Sequence, residues 1–370
     1  MLILGIESSC DETAAAVVEI GHGKINVISN IVSSQIKIHK KYGGVVPEVA
    51  ARKHAEVVFD VIKKALGKYS IDDIDLIAVT EGPGLVTSLR VGVLAAETLA
   101  VLAKKTLVGV NHIEAHLLSA LLTPSNSPLE KGERGVFPAL GLIVSGGHTE
   151  LILVKDSRLD SRKSRLVGKY KIIGTTRDDA VGEAFDKVAK ILNLGYPGGP
   201  AIAREAAKIL HNAPSPRFAV EAGQPPLTLR GGEEIKLPRP MINSDDFDFS
   251  FSGLKTAVLY LAKKMTAAEL KKNTSAIAAE FQQAAIDVLV HKTKRAAEKY
   301  RVKNILVGGG VIANKELRDA LGKLDFQVYL PELKYTGDNA AMIASAGYHK
   351  YMRTKKNEVF DIAAEPNLSI

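Results

Sequence analysis

The chain opens with an apolar run, Leu2 to Ile6, breaks into a polar turn from Ser8 to Thr13, and becomes apolar again from Ala14 to Ile20. The same plan returns much later. Leu140 to Val144 are apolar, Ser145-Gly146-Gly147-His148-Thr149 form a bend, and Leu151 to Val154 resume the apolar pattern. A plain β-hairpin accounts for either unit taken alone. Two of them, each opening a long stretch of chain, predict a protein built of two related halves. Small and polar residues at such bends let backbone N–H groups approach an anion closely, so both turns are candidate phosphate cradles.

The segments after each hairpin support the duplication. Residues 47 to 66 carry a helical pattern of apolar positions (Val49, Val57, Val58, Val61, Ile62, Leu66). Leu76 to Thr80 reads as a strand feeding Glu81-Gly82-Pro83-Gly84, and Leu85 to Leu102 as a helix rich in small residues. In the second half, Val181 to Leu192 is amphipathic, Gly195 to Pro200 is a rigid loop, Ala201 to Leu210 is helical, and Ser275 to Tyr300 is a long helix. Asn304 to Val307 is then a strand running into Gly308-Gly309-Gly310, with a helix expected from Ala313 onward. A strand, a glycine run and a helix start can hold the phosphate or ribose of a nucleotide through backbone contacts, although the spacing is not that of a Rossmann fingerprint. Thr123 to Pro138 and Asn212 to Pro240 show no sustained period and read as long surface loops. Alternating strands and helices of this kind predict an α/β fold of two lobes, with the ligand in the cleft between them.

At 370 residues the chain exceeds the size at which one core usually stops growing, which agrees with two lobes. A single cysteine, Cys10, rules out an internal disulfide framework and suits a reducing cytoplasm. The N-terminus reads as a strand rather than a signal peptide, and no apolar run is long enough to span a membrane, so no membrane partner is expected. A net charge of +8 favours an anionic partner, nucleic acid first. Basic residues cluster from Lys155 to Lys171 and again at Lys292, Lys294, Arg295, Lys299, Arg301 and Lys303. A solvated basic face explains many such runs. With only Tyr170 and Tyr300 interleaved, contact with phosphates is favoured over base stacking.

Near the end of the first half lies Asn111-His112-Ile113-Glu114-Ala115-His116. On a helix His112 and His116 share a face, with Cβ atoms roughly 5–6 Å apart, close enough to hold one metal ion. A half-buried helix face is the competing explanation. Glu114 falls far round the helix from both rings, unlike the glutamate of H-E-x-x-H, which serves as the base of a metalloprotease.

Further motifs stand around these: Gly5-Ile6-Glu7-Ser8-Ser9-Cys10-Asp11-Glu12-Thr13, Tyr42-Gly43-Gly44-Val45-Val46-Pro47-Glu48, Asp178-Asp179-Ala180-Val181-Gly182-Glu183-Ala184-Phe185-Asp186-Lys187, Phe249-Ser250-Phe251-Ser252-Gly253-Leu254-Lys255, Gly308-Gly309-Gly310-Val311-Ile312-Ala313-Asn314 and Thr336-Gly337-Asp338-Asn339-Ala340-Ala341-Met342-Ile343. Together with the histidine pair and the Val144 to Thr149 turn, they run in order from residue 3 to about 347. The chain resembles the TsaD/Kae/Gcp family of tRNA threonylcarbamoyltransferases, within the actin-like ATPase superfamily. The resemblance implies a two-lobed actin-like (ASKHA) fold with duplicated ribonuclease-H-like lobes: residues 1–123 and 136–353, with loop insertions at 124–135 and 212–240, and a last helix free to pack back on the first lobe. It implies that threonylcarbamoyl-AMP binds in the cleft and passes its threonylcarbamoyl group to N6 of the adenosine beside the anticodon (position 37) of tRNAs reading ANN codons, releasing AMP.

By that pattern His112, His116 and Asp338 ligate one divalent metal ion, and Ile143, Val144, Ser145, Gly146, Gly147, Asp186, Gly199 and Asn314 hold the adenylate. Two imidazoles and a carboxylate suit Fe2+ or Zn2+ equally. Asp11 or Glu12, on the first turn, is placed to manage the amine proton, although Asp11 can equally hydrogen-bond its own turn. Implied partners are tRNA, a TsaB-like paralogue, a TsaE-like ATPase and the synthase that supplies threonylcarbamoyl-AMP. The stretches 156–171 and 212–240 depart from the family by their length, and Asn111 stands where some relatives carry histidine. A small-molecule kinase or ATPase of the same superfamily is the closest rival, a metalloprotease the second, and a non-catalytic scaffold the third. The kinase leaves His112, His116 and Asp338 without a task.

Overall fold

The computed structural model describes residues 1–21, 24–122, 136–155, 169–210, 228–229, 232 and 234–370. Most of the first basic cluster, the 124–135 insertion and most of the 212–240 loop lie outside the described residues.

The first hairpin is β1 (Leu2–Glu7) and β2 (Glu12–Gly21), and β2 runs on into β3 (Lys24–Ser34). After α1 (Ile36–His39) and α2 (Pro47–Leu66) come β4 (Leu76–Gly82), α3 (Val86–Leu102), β5 (Thr106–Asn111) and α4 (His112–Ser119). The sheet order is β3-β2-β1-β4-β5, with β1 antiparallel to β2 and parallel to β4. The second half opens with β6 (Ala139–Val144), β7 (Thr149–Lys155) and β8 (Lys169–Thr175), followed by α5 (Val181–Ile191), α6 (Gly198–Leu210), α7 (Ser252–Lys263) and α8 (Ala267–Tyr300). It closes with β9 (Asn304–Gly308), α9 (Lys315–Gly322), β10 (Gln327–Tyr329) and α10 (Ala340–Thr354). Its order, β10-β9-β6-β7-β8, repeats the first sheet strand for strand, and β6 pairs antiparallel with β7 and parallel with β9. The two hairpins are therefore equivalent elements of two like sheets.

Strand periodicity sorts the first sheet's side chains between two layers. Leu4, Ile6, Ala15, Val17, Ile77 and Val79 face α2 and α3, while Ile3, Ala16, Val18, Ala78 and Val108 face α10. Close packing of α10 on the sheet needs small residues: a Cβ on Gly5 would meet Ala340 O at 2.2 Å. The helix that ends the second half thus belongs to the core of the first. Beyond it, the C-terminal tail covers the open edge of β5, with Glu358 N donating to Leu107 O at 2.8 Å.

Three elements differ from the sequence expectation. The long helix begins at Ala267 rather than Ser275, because Thr266 and Glu269 form a capping box with Thr266 Oγ1 accepting from Glu269 N. The rigid loop after α5 ends at Pro197, since Gly198, Gly199 and Pro200 are already the first turn of α6. After the triple glycine a 3-10 turn, Gly310–Ala313, comes first, and α9 starts at Lys315 under an Asn314 cap.

Part of the second basic cluster is internal, although Lys294, Lys299, Arg301 and Lys303 are exposed. Lys292 is fully buried on α8 and donates from Nζ to Ser244 Oγ at 2.8 Å. Arg295 donates to the carbonyls of Ile242 and Ser244, and both Arg295 and Lys299 stack over the Phe247 ring. Lys292 and Arg295 thus fasten the 242–247 segment to α8, with Lys299 covering the ring of Phe247 from the exposed side. Among the described residues, no helix is long and apolar enough to cross a membrane.

Candidate active site

The end of β5 builds the histidine pair. Asn111 leaves the strand in an extended conformation and caps α4, its Oδ1 accepting from Ile113 N at 2.9 Å and Glu114 N at 3.1 Å. Such a cap stabilises a helix start by about 1 kcal/mol, and here it occupies the oxygen of Asn111 and so keeps that atom from a ligand role. His112 is then the first helical residue and His116 lies one turn on, with ring centroids 4.5 Å apart. Asp338 enters from the far end of the chain, just before Asn339 caps α10 by accepting from Met342 N. Its Oδ1 lies 3.1 Å from His116 Nε2 and 3.5 Å from His112 Nε2.

One nitrogen of each ring and one carboxylate oxygen come within 4.8 Å of one another. Two neutral imidazoles and a carboxylate are a donor set for a borderline divalent ion, and the convergence of both Nε2 atoms on Oδ1 fits one. Burial raises the Asp338 carboxyl, but the two imidazoles outweigh it and hold the group well below the usual carboxylate range. Burial lowers His112, yet the carboxylates of Glu7 and Asp338 outweigh it and raise the ring well above its ordinary value. His116 moves down, through burial and then the charge of His112.

His112 and Asp338 line a cavity of about 720 Å³ between the two hairpin turns, with His116 buried behind them. Asp11 and Glu12 line it from the first turn, and Ser145, Gly146, Gly147 and His148 from the second. Asp186, Lys187 and Tyr196 close one side, Pro83 and Gly84 another. The second turn is held by its own contacts: Ser145 N donates to His148 O, and His148 N donates to Ser145 Oγ at 3.0 Å. Asp186 Oδ1 accepts from Gly198 N, and burial raises its carboxyl. Glu12 is pushed up to about 9, first by burial and then by the charges of Asp338 and Asp11. His148 drops to about 4, through burial and then His112 and His116.

Not every expected residue reaches the cavity. The side chains of Ile143 and Val144 are buried, Val144 in the core of the second lobe and Ile143 against Ile113 and Leu117 of α4. Gly199 lies in the first turn of α6, away from the lining. Asn314 spends its side chain on the fold: Oδ1 accepts from Leu317 N, and Nδ2 donates to Gln282 Oε1 at 2.7 Å. Of the three glycines, Gly310 alone lines the cavity, whereas Gly309 has φ +99° and a Cβ there would meet Val144 O at 2.4 Å. Glu114 points away from both histidines and accepts from Tyr170 Oη at 2.8 Å, so it is no candidate base.

A profile of the family described as "TsaD: tRNA N6-adenosine threonylcarbamoyltransferase" matches residues 26–345. The chain belongs to this family. It is 46% identical to the tRNA N6-adenosine threonylcarbamoyltransferase of Brachyspira hyodysenteriae over 96% of this chain and 93% of that one. The enzyme of the same name from Thermodesulfovibrio yellowstonii is 45% identical over 97% of both chains. Two solved structures of HypF share the fold: that of T. kodakarensis HypF (TM-score 0.52, 15% identity, 97% of this chain and 49% of that one) and a full-length HypF in phosphate- and nucleotide-bound form (TM-score 0.54, 12% identity, 95% and 56%). The actin-like two-lobed architecture expected from the motifs is the one observed.

The residue that sequence reading passed over is Glu7. It ends the apolar run of β1, is fully buried, and places Oε2 3.0 Å from His112 Nδ1. An acidic residue closing a buried strand beside a polar turn was the available signal.

Proposed function

We propose that the chain transfers the threonylcarbamoyl group from threonylcarbamoyl-AMP to N6 of adenosine 37 in tRNAs reading ANN codons, releasing AMP. The observation that carries this reading is one cavity that reaches a His-His-Asp donor set through His112 and Asp338 and is lined by a Ser-Gly-Gly turn and paired carboxylates, in a chain of this transferase family. Residues 1–123 and 136–353 serve as its two lobes. The backbone N–H groups of Gly146 and Gly147 hold the adenylate phosphate in a turn that Ser145 closes, and Asp186 takes the ribose.

His112, His116 and Asp338 hold the divalent ion, iron or zinc. When bound, it supplies Lewis acidity and an anchor for the threonyl part of the donor. The exocyclic amine is a weak nucleophile, so the protein contributes mainly alignment and relief of charge on the carbonyl oxygen. The amine nitrogen bonds to the carbamoyl carbon, the bond to the phosphate oxygen breaks, and AMP leaves. Burial and the adjacent Asp11 charge raise the Glu12 carboxyl, which suits it to donate a hydrogen bond and leaves Asp11 to receive the proton lost by the amine. Ile143, Val144, Gly199 and Asn314 support the adenylate through the elements they belong to.

The net charge of +8 suits a tRNA substrate, with the reducing cytoplasm as the place of action. A TsaB-like paralogue and a TsaE-like ATPase assist. Packed on one another, α2 and α3 leave Phe59, Leu94, Val101 and Leu102 exposed, apolar surface that suits a protein partner.

The test is reconstitution with threonine, bicarbonate, ATP, the adenylate-forming enzyme, the two helpers and unmodified tRNA, reading threonylcarbamoyladenosine by nucleoside mass spectrometry. Absence of product, where the Thermodesulfovibrio yellowstonii enzyme yields it, overturns the reading. A His116→Ala protein with full activity favours the scaffold instead.

A further inference from the structure

We propose that Glu7 is the positioning residue of the metal site: it accepts a hydrogen bond from His112 Nδ1–H and so aims the Nε2 lone pair of that ring at the point where His116 and Asp338 converge. This rests on the reading of His112, His116 and Asp338 as metal ligands.

Glu7 is wholly buried at the end of β1, where an unpartnered carboxylate would cost several kcal/mol. Three elements supply its donors. Ser9 N, on the first turn, donates to Oε1; Thr80 Oγ1, on β4, donates to Oε2 at 2.6 Å; and His112 Nδ1, on α4, lies 3.0 Å from the same Oε2. The first two contacts suffice to tie the turn to the sheet. The third serves the histidine.

A metal-bound imidazole needs one bare nitrogen and one protonated nitrogen, and an acceptor at the second fixes which is which. A carboxylate is such an acceptor and nothing else. Ser9 Oγ, 3.4 Å from the same Nδ1, can donate or accept and therefore cannot select the tautomer. Glu7 is not itself a ligand, because it faces Nδ1 while Asp338 faces Nε2 of the same ring. The contrast with His116 sharpens the assignment: its Nδ1 is buried with no hydrogen-bond partner among the described residues, where Asp338 is the ring's one polar contact. The site has one clamped histidine and one unclamped one.

The experiment uses the full chain stripped of metal and titrated with Zn2+ against a chromophoric chelator, and with Co2+ to read its visible ligand-field bands. Glu7→Gln leaves a side chain with only one acceptor end for donors at both ends. It is expected to weaken Zn2+ binding about 10–100-fold and to shift the Co2+ bands. Thr80→Val, which removes the other side-chain donor but leaves Glu7 facing the ring, is expected to bind like wild type. His112→Ala and Asp338→Ala serve as the reference for a broken site. If those two bind Zn2+ as wild type does, the ligand reading itself fails. If they lose it while a folded Glu7→Gln binds as wild type, the Glu7 proposal alone is overturned. A measurement on the unaltered protein covers a variant that does not fold: in the Zn2+-loaded chain with 15N-labelled histidine, His112 is expected to show a protonated Nδ1 and a metal-bound Nε2. The opposite tautomer overturns the proposal.

Discussion

Asp338 Oδ1 lies 3.1 Å from His116 Nε2, although 222 residues of chain separate the two. The contact exists because α10 returns to the first sheet and delivers its N-terminal approach beside α4. Asp338→Asn keeps the shape of the side chain and removes its charge. Since Asn339 caps the helix through its own side chain, α10 is expected to stay folded. Zinc or iron content should fall further than the roughly 10–100-fold that outer-shell changes cost, and threonylcarbamoyladenosine formation with it. Wild-type metal content by mass spectrometry in the purified variant would contradict the ligand role.

Glu12 predicts a pH dependence with a definite sign. In the unfolded chain its carboxyl ionises at the ordinary value of 4.5, while burial and the neighbouring Asp338 and Asp11 charges hold it protonated to about 9 in the fold. A raised folded pKa contributes stability that is complete below pH 4.5 and is lost progressively as pH rises to about 9. Glu12→Gln imitates the protonated carboxyl and has no such slope. In chelator-treated protein its melting temperature should match wild type near pH 4.5 and exceed it by a few degrees at pH 9, with the gap opening in between. A parallel pair of melting curves across that window argues against a buried, proton-holding Glu12.

The two hairpins were legible because short continuous apolar runs on either side of a polar bend leave few other choices, and α2 shows its limits plainly through Pro47 at its first position and Gly67 after its end. The approach of His112 and His116 followed from spacing on one helix. Asp338 could be paired with them only by family pattern, since local sequence carries no record of where α10 returns. The start of α8 was readable in Thr266 and Glu269 but was obscured by the polar first turns beyond them. Lys292 misled for a related reason. A lysine in a basic run reads as surface until its partners are known, and these, Ser244 and Asp246, lie in a segment with no regular period. Glu7 was hidden by its setting, an acidic residue between the apolar run of β1 and the polar turn that begins at Ser8.

Gly182 tests how the second turn is held. It lies in the first turn of α5, and a Cβ there would meet Ser145 O at 2.5 Å and Gly146 Cα at 2.9 Å. Both are backbone atoms, so Gly182→Ala must displace the turn or the helix. Overpacking of this kind costs about 1–3 kcal/mol, and the displaced turn lines the cavity. The variant should melt lower and show a raised KM for threonylcarbamoyl-AMP with metal content unchanged. An unaltered KM would separate the Ser145–Gly147 backbone from phosphate binding.

Lys292 distinguishes an internal cation from a tRNA contact. Emptying a large, fully buried side chain costs about 2–5 kcal/mol, so Lys292→Ala should lower the stability against denaturant by that amount. A lysine on a tRNA phosphate would also reduce the salt dependence of binding by about one counterion. The structure places its ammonium against Ser244 and Asp246 instead. The slope of tRNA affinity against salt should therefore stay at the wild-type value under conditions where the variant is folded, and a shallower slope would return Lys292 to the nucleic-acid surface.

Lys350 on α10 latches the C-terminal tail. Its Nζ lies 3.2 Å from Glu81 Oε1 on β4 and 3.0 Å from Glu358 Oε2 in the tail, and Glu358 Oε2 also accepts from Gly109 N. Glu81 is already raised by burial, so the ammonium is what makes two neighbouring carboxylates tolerable there. The tail continues past this latch to the cavity wall: Glu365 N donates to Glu81 O, and Gly84 N donates to Pro366 O at 3.2 Å. Lys350→Met leaves Glu81 and Glu358 facing each other without a cation. Residues 357–365 should then exchange their amide hydrogens faster, and the Pro83-Gly84 wall, freed from Pro366, should raise the KM for threonylcarbamoyl-AMP while leaving metal content intact. If exchange accelerates in the tail but KM does not move, the tail is a cover for the β5 edge alone and the Ser9 O to Leu85 N hydrogen bond is enough to hold the wall.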